Sequence, residues 1–319
     1  MKRRILLTGK NGQVGRELSA SLQSLGDVAA FDRQQLDLTK PDQIREAIRS
    51  IHPDLIVNAA AYTAVDQAES DKTVARAVNT DAPRIMAEEA GKIGAALVHY
   101  STDYIFDGLK TSPYVETDPA NPINVYGRTK LQGEHAVQQS GVPHLIFRTA
   151  WVYGREGKNF LLTILRLGTQ REELRIVRDQ IGAPTSSREI AAATTQILAQ
   201  FFGSEKNATS LASATGIYNL TAAGETNWYE FATAILEHAK GHSKNDPWFT
   251  AAISGRPLIA RSISPITTAE YPTPARRPAY SILSNNLLAQ TFGIRLRDWR
   301  TQLKSIFAND PAMSLQIKD

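Results

Sequence analysis

The 319-residue chain has no cysteine, which excludes disulfides, thiolate metal sites and cysteine nucleophiles together. It also lacks any apolar stretch long enough to cross a bilayer. The opening residues MKRRILLTG hold only a short apolar run before a glycine, too short for the core of a secretion signal. The expectation is a soluble, cytoplasmic protein with no membrane partner. Charge of one sign is not concentrated either: 36 Lys and Arg face 32 Asp and Glu, a net +4, without a run of five basic residues. Nucleic acid is therefore not the expected partner, while an anionic small molecule stays open. No internal repeat is present.

What is present is a rhythm. The runs RILLT, DVAAFD, DLIVNAA, ALVHYS and HLIFRT are strand-like, and each is separated from the next by enough chain for a helix. That alternation predicts an α/β fold, a Rossmann-type doubly wound parallel sheet. Strict apolar/polar alternation is missing from these runs because a parallel strand is covered on both faces. TKPDQIREAIRSI reads as a helix with Thr39 as N-cap and Pro41 in the first turn. Beyond residue 150 the rhythm loosens. The polar stretch 203–216 reads as a surface loop, and 264–281, rich in Pro and Thr, as extended chain. The length predicts one large domain plus a smaller α+β lobe.

The first strand runs into TGKNGQVG, with Gly9, Gly12 and Gly15 at three-residue spacing. Glycines there permit a tight turn, close approach of the backbone to a pyrophosphate and close helix–sheet packing, with Asn11, Gln13 and Val14 as the residues between. The second strand ends in Asp32, 17 residues past Gly15, near the spacing expected of a carboxylate on the adenine ribose. Arg33 could instead pair with a 2′-phosphate, so NADH and NADPH both stay open. Asp37 and Leu38 are placed near the adenine, and Ala61, Tyr62 and Thr63 at the end of strand three, where such a sheet holds its ligand. Residues 1–150 are thus read as an NAD(P)-binding domain to which a later segment near 170–200 returns, and 151–319 as mainly a substrate lobe. Tyr126 and Lys130 lie four apart, on one helix face. An ammonium beside a phenol favours the phenolate, which predicts a lowered Tyr126 pKa.

TGKNGQVG, NAAAYTAVD, YSTDYIFDG, YGRTK and TAWVYG, with RDQIGAPT, GIYNLTAAGETNW and YPTPARRPAYS further on, together resemble the extended short-chain dehydrogenase/reductases, and among them the dTDP-4-dehydrorhamnose reductase family. The resemblance implies Thr102, Tyr126 and Lys130 as the catalytic set, reduction of the C4 keto group of dTDP-4-dehydro-L-rhamnose, and a role in making an activated sugar for cell-surface polysaccharides. It implies that Tyr126 donates a proton, that Lys130 also binds the nicotinamide ribose, and that Thr102 hydrogen-bonds the sugar oxygen. Asp103 and Tyr104 would contact the sugar. Trp151 would shape its pocket or simply pack in the core, and His99 is read as a core or ribose-side residue. Arg276 and Arg277 would either grip a diphosphate or be solvated. Some relatives pair through acidic residues and magnesium, so a homodimer is open and Glu17 is the position nominated for Mg2+, against its reading as a surface acid. A 4,6-dehydratase would carry Glu where this chain has Tyr104, and a fucose-type epimerase/reductase would need a cysteine. A nucleotide-sugar 4-epimerase, or a binding module like the regulatory subunit of methionine adenosyltransferase, remain the alternatives.

Overall fold

The computed structural model describes residues 3–202, 210–243, 245–308 and 316–317. Five strands fall on the five apolar runs: β1 (Arg3–Thr8), β2 (Gly26–Phe31), β3 (Leu55–Asn58), β4 (Ala96–Thr102) and β5 (His144–Thr149). A sixth, β6 (Gly216–Asn219), joins from the second half of the chain, giving an all-parallel sheet in the order β6-β5-β4-β3-β1-β2. Alternate residues of each strand serve opposite faces. Ile5, Leu7, Leu55, Val57, Val98, Leu145 and Phe147 enter one core, and Leu6, Ile56, Leu97 and Ile146 the other. Both faces are buried, so near-continuous apolar runs are what this sheet requires. The strand order reverses between β1 and β3, which opens a crevice at their carboxyl ends.

Local chemistry sets the helix starts. The helix Pro41–Ile51 begins at Pro41 with Lys40 as its cap residue, and no side chain caps it. Thr39, the expected cap, instead donates its hydroxyl to Asp37 at 2.8 Å, because the carboxylate two residues back is the stronger acceptor. The helix after the glycine loop spans Gln13–Ser21, so Gly15 lies inside it rather than before it.

A second core gathers Tyr153, Leu161, Ile164, Leu174, Phe231, Ile235, Phe249, Trp299 and Leu303, carried largely by the helices Phe160–Gly168, Trp228–Lys240 and Trp299–Ala308. Beside them Glu173–Val177 pairs in parallel with Ser262–Ile266. The segment that returns to the first core is the helix Ser187–Phe202, through Ile190, Ile197 and Leu198, together with Tyr218 of β6 and with Leu288, Phe292 and Ile294. Of the polar stretch 203–216, residues 203–209 lie outside the described residues, and Leu211–Ala214 forms a short 3-10 turn. Ser262–Ile266 is a strand, and Tyr271–Ala279 crosses the molecule without regular structure. No helix among the described residues is long and apolar enough to cross a membrane.

Candidate active site

At the crevice lies a cleft of about 900 Å3. Gly9, Asn11, Gly12, Gln13 and Val14 form one wall, Asp32, Arg33, Asp37 and Leu38 a second, and Ala61, Tyr62 and Thr63 a third, with Tyr126 and Lys130 at one end. Gly9 has φ +73°, and a Cβ there would stand 2.8 Å from the Ala60 amide nitrogen. Gly15 does not line the cleft. A Cβ at this position would meet the Gly9 carbonyl oxygen at 2.0 Å, so its role is to let the helix close against the loop. The Asp32 carboxylate accepts from the Gln34 and Gln35 amides at 3.0 and 3.1 Å and from Asn11 Nδ2 at 3.2 Å, with Lys10 Nζ at 3.5 Å. Desolvation works to raise its pKa, but those amides and Lys10 prevail and hold it below the usual value. Tyr62 donates its hydroxyl to Asp71 at 2.9 Å and is oriented through its amide by Asn79 at 2.8 Å. Among the polar groups of the cleft, Gln13 Oε1 is buried without a partner.

The reacting cluster forms where β4 meets the helix Val125–Gln139. Thr102 ends the strand and caps a 3-10 turn, Asp103–Ile105, accepting from the Tyr104 amide at 3.2 Å. Opposite, Asn124 caps the helix by accepting from the Gly127 amide at 2.7 Å, and its Nδ2 donates to the Arg276 carbonyl at 2.8 Å. Gly127 is what lets the two elements touch: a Cβ there would stand 2.1 Å from the Tyr104 carbonyl oxygen. The Tyr104 and Tyr126 rings therefore meet edge to face, with centroids 5.6 Å apart. Lys130 is 1% exposed, and its ammonium donates to the Tyr100 carbonyl and approaches His99 Nε2 at 3.3 Å. Burial lowers its pKa to about 8, against the raising influence of Glu134.

The expected lowering of the Tyr126 pKa is not what the structure gives. Burial pushes the phenol up to about 12; the Thr102 hydroxyl pulls the other way and the Asp103 charge adds to the rise. The ammonium that was to stabilise the phenolate is drawn to Tyr100 and His99 instead. His99 is fully buried between Lys130 and Asn58, whose Nδ2 lies 3.1 Å from its Nδ1. Burial, reinforced by Lys130, drives its pKa well below the usual value, which suits a neutral core residue. Asn58 also accepts from the Thr8 hydroxyl at 2.7 Å, so a buried polar line runs from β1 through β3 and β4 to Lys130. The sequence reading missed Asn58 and Asn79. The signal for Asn58 was present, a single polar residue closing the apolar run LIVN.

The residues assigned to the substrate separate into two groups. Asp103 is 1% exposed beside Thr102, whose hydroxyl donates to it at 3.0 Å, and Tyr104 is half-buried at the same turn. Arg277 bonds Asp66 with both arms, at 3.1 and 2.7 Å, and also donates to the Ala275 carbonyl at 3.0 Å. Its charge is matched within the protein by Asp66, which ties the segment Tyr271–Ala279 to the stretch after β3. Arg276 is exposed, and its backbone is the part that is held. Trp151, at φ +48°, stacks on Trp228 with centroids 3.4 Å apart, and Gly182 leaves room for its ring. It does not line the cleft. Glu17 sits among Arg188, Arg155 and Arg16. Desolvation is the main cause of its raised pKa, with Glu156 adding to the rise and the three arginines opposing it. Among the described residues no group of three or more acidic, His or Cys side chains could hold a metal.

The family described as "RmlD substrate binding domain" matches residues 3–311. The dTDP-4-dehydrorhamnose reductase of Burkholderia thailandensis is 48% identical over 297 residues, covering 93% of this chain and 95% of that protein. That of Escherichia coli K12 is 42% identical, covering 94% and 95%. The crystal structure of the Bacillus anthracis dTDP-4-dehydrorhamnose reductase in complex with NADP superposes with a TM-score of 0.83 at 33% identity, over 97% of this chain and 100% of that one. On sequence, fold and extent alike, the chain belongs to the RmlD substrate binding domain family, that of the dTDP-4-dehydrorhamnose reductases.

Proposed function

We propose that this chain is an NADPH-dependent oxidoreductase that reduces the C4 keto group of dTDP-4-dehydro-L-rhamnose to give dTDP-L-rhamnose, a step of nucleotide-sugar biosynthesis. The observation that carries the reading is the convergence of Thr102, Tyr126 and Lys130 at the end of β4, beside a cleft walled by the glycine loop and by Asp32 and Arg33. The cleft fits a dinucleotide. Gly9 and Gly12 leave backbone surface without side chains, Gln13 Oε1 lacks a partner, and exposed Arg33 stands beside Asp32 for the ribose substituent. The Bacillus anthracis relative binds NADP, which supports NADPH, and NADH remains a second cofactor for the same cleft.

Bound there, the nicotinamide supplies the hydride for C4. This chain's residues manage the proton. A phenol held near pKa 12 by burial stays protonated at neutral pH, which is the state needed to give a proton to the developing C4 alkoxide. The direction of the Tyr126 shift therefore favours reduction. Lys130, fixed by Tyr100 and His99, lines the same cleft and is proposed as the donor to the nicotinamide ribose. Tyr104 and Thr102 are proposed as the sugar-side contacts, with Asp103 behind Thr102 and Arg277 holding the wall.

Supporting observations of a coarser kind bear on the setting. The lack of cysteine and of any long apolar run supports a cytoplasmic enzyme. A homodimer is proposed on the family resemblance alone, and sedimentation velocity tests it. The two apolar cores support a division into a nucleotide-binding unit, which takes in Ser187–Phe202 and β6, and a substrate lobe. Activity is tested with dTDP-glucose and the upstream dehydratase and epimerase. With all three enzymes, NADPH absorbance falls and dTDP-L-rhamnose accumulates in equal amount. A 4-epimerase consumes no cofactor, a binding module turns over nothing, and either result in the presence of verified keto sugar overturns the reading.

A further inference from the structure

We propose that Asp103 is a positioning residue that works in its neutral form and decides, through Thr102, which partner receives the single hydroxyl proton of that threonine. The inference rests on the reductase reading and deepens it. A threonine hydroxyl has one proton and two lone pairs. Here the proton is donated to Asp103 Oδ1 at 3.0 Å, while the Tyr104 amide occupies the acceptor side at 3.2 Å. A third group, the phenol of Tyr126, neighbours the same hydroxyl, which lowers its pKa against the effect of burial. So long as Asp103 is a carboxylate, the charge-assisted bond holds the Thr102 proton, and Thr102 can only accept from Tyr126 or the sugar. It cannot then stabilise an alkoxide.

The surroundings disfavour that carboxylate. Asp103 is 1% exposed, and its Oδ2 is buried with no hydrogen-bond partner. An ionised oxygen left this way is costly. The groups bearing on Asp103 are the Thr102 and Ser281 hydroxyls, the Asp103 and Tyr104 amides, and the Tyr104 and Tyr126 phenols; none of these is a cation. Arg277 reaches Tyr104, but its charge is matched by Asp66, and Lys130 is drawn to Tyr100 and His99. Burial accordingly pushes the carboxyl up to about 6, against the lowering influence of those hydroxyls and amides. A sugar that displaces further water raises it again. Once neutral, Asp103 is a weaker acceptor and the Thr102 proton becomes available to the C4 oxygen. The negative charge that otherwise hinders ionisation of Tyr126 and Tyr104 is removed at the same time.

The sign follows. The neutral form is the working one, so this contribution to turnover is complete below the Asp103 pKa and is lost as pH rises through it. The test uses the full chain with NADPH and keto sugar prepared beforehand and freed of the upstream enzymes. Expected are a turnover rate that declines above the Asp103 pKa in the parent, and an Asp103→Asn variant within about fivefold of the parent's acid plateau that lacks this decline. Thr102→Val is slow, and adding Asp103→Asn to it changes nothing further, because the effect runs through the hydroxyl. An Asp103→Asn variant that binds NADPH yet keeps the parent's alkaline limb overturns the proposal, as does one inactive at every pH. A readout without turnover separates this failure from that of the reductase reading. In the NADP complex of the parent protein labelled with carbon-13 at aspartate carboxyls, one carboxyl titrates around pH 6 and is still partly protonated there, where free aspartate is ionised. An aspartate set wholly ionised at that pH, whether or not the variant folds, overturns the proposal equally.

Discussion

The cofactor end and the substrate end of this molecule are built from different materials. Around the glycine loop the walls are backbone, and the bonds that shape the loop are short in sequence: Gly12 donates to the Gly9 carbonyl at 2.8 Å, and Arg16 to that of Gly12 at 3.0 Å. At the substrate end the walls are side chains brought from far apart. Asp66 holds Arg277 across 211 residues, and Asn124 holds the Arg276 carbonyl across 152. The first kind of site fails when an atom is added, the second when a charge or amide is taken away.

Between them stands the reacting group, and its loss is the largest effect expected. Tyr126→Phe should lower kcat by about 10^2–10^4 while leaving NADPH affinity within twofold or so of the parent, since the proton donor goes and the cleft wall stays. Near-normal turnover by this variant would remove Tyr126 from the reaction. Next comes addition of a single carbon at the backbone-built end. Gly15→Ala puts a Cβ against the Gly9 carbonyl oxygen and should cost about 1–3 kcal/mol of stability, read from denaturant unfolding, with weakened NADPH binding. Unchanged stability and affinity would show that the loop yields freely.

Removal is the test of the other end. Asp66→Ala frees Arg277 from its bidentate partner and should raise KM for the dTDP-sugar by about tenfold with NADPH affinity unchanged. A rise in the NADPH dissociation constant instead would show that the two ends are not separable at this point. The smallest effect is expected at the ribose. Asp32→Ala should shift the ratio of kcat/KM toward NADPH, and Arg33→Ala toward NADH, each by about three- to tenfold. If neither ratio moves, these two side chains do not face the adenosine.

The same contrast explains what could be read from the sequence. The five strands, Gly9 and Gly12 of the glycine loop and the Tyr126–Lys130 pair on one helix are local patterns, read from period, spacing and residue type, and they fall where that reading put them, whereas Gly15 lies inside the helix. β6 escaped it because four residues after a polar loop carry too little pattern. The role of Arg277 was hidden because its partner Asp66 lies 211 residues away, and although both stretches carry the family resemblance, nothing in either announces the pairing. The direction of the Tyr126 shift was misjudged for a related reason. Sequence spacing supplies the lysine but not the competing Tyr100 carbonyl or the degree of burial.

The stacked indoles have a use of their own. Trp151 stands two residues past the end of β5 and Trp228 opens a helix of the second core, yet their ring centroids lie 3.4 Å apart with the planes within 4° of parallel. Two indole chromophores that close couple their electronic transitions, and this chain has four tryptophans in all. Its near-ultraviolet absorption and its tryptophan emission should therefore carry the mark of a stacked indole pair. Both signals depend on the sheet and the second core remaining in register, so separation of the two becomes visible by eye of light alone, with no label attached.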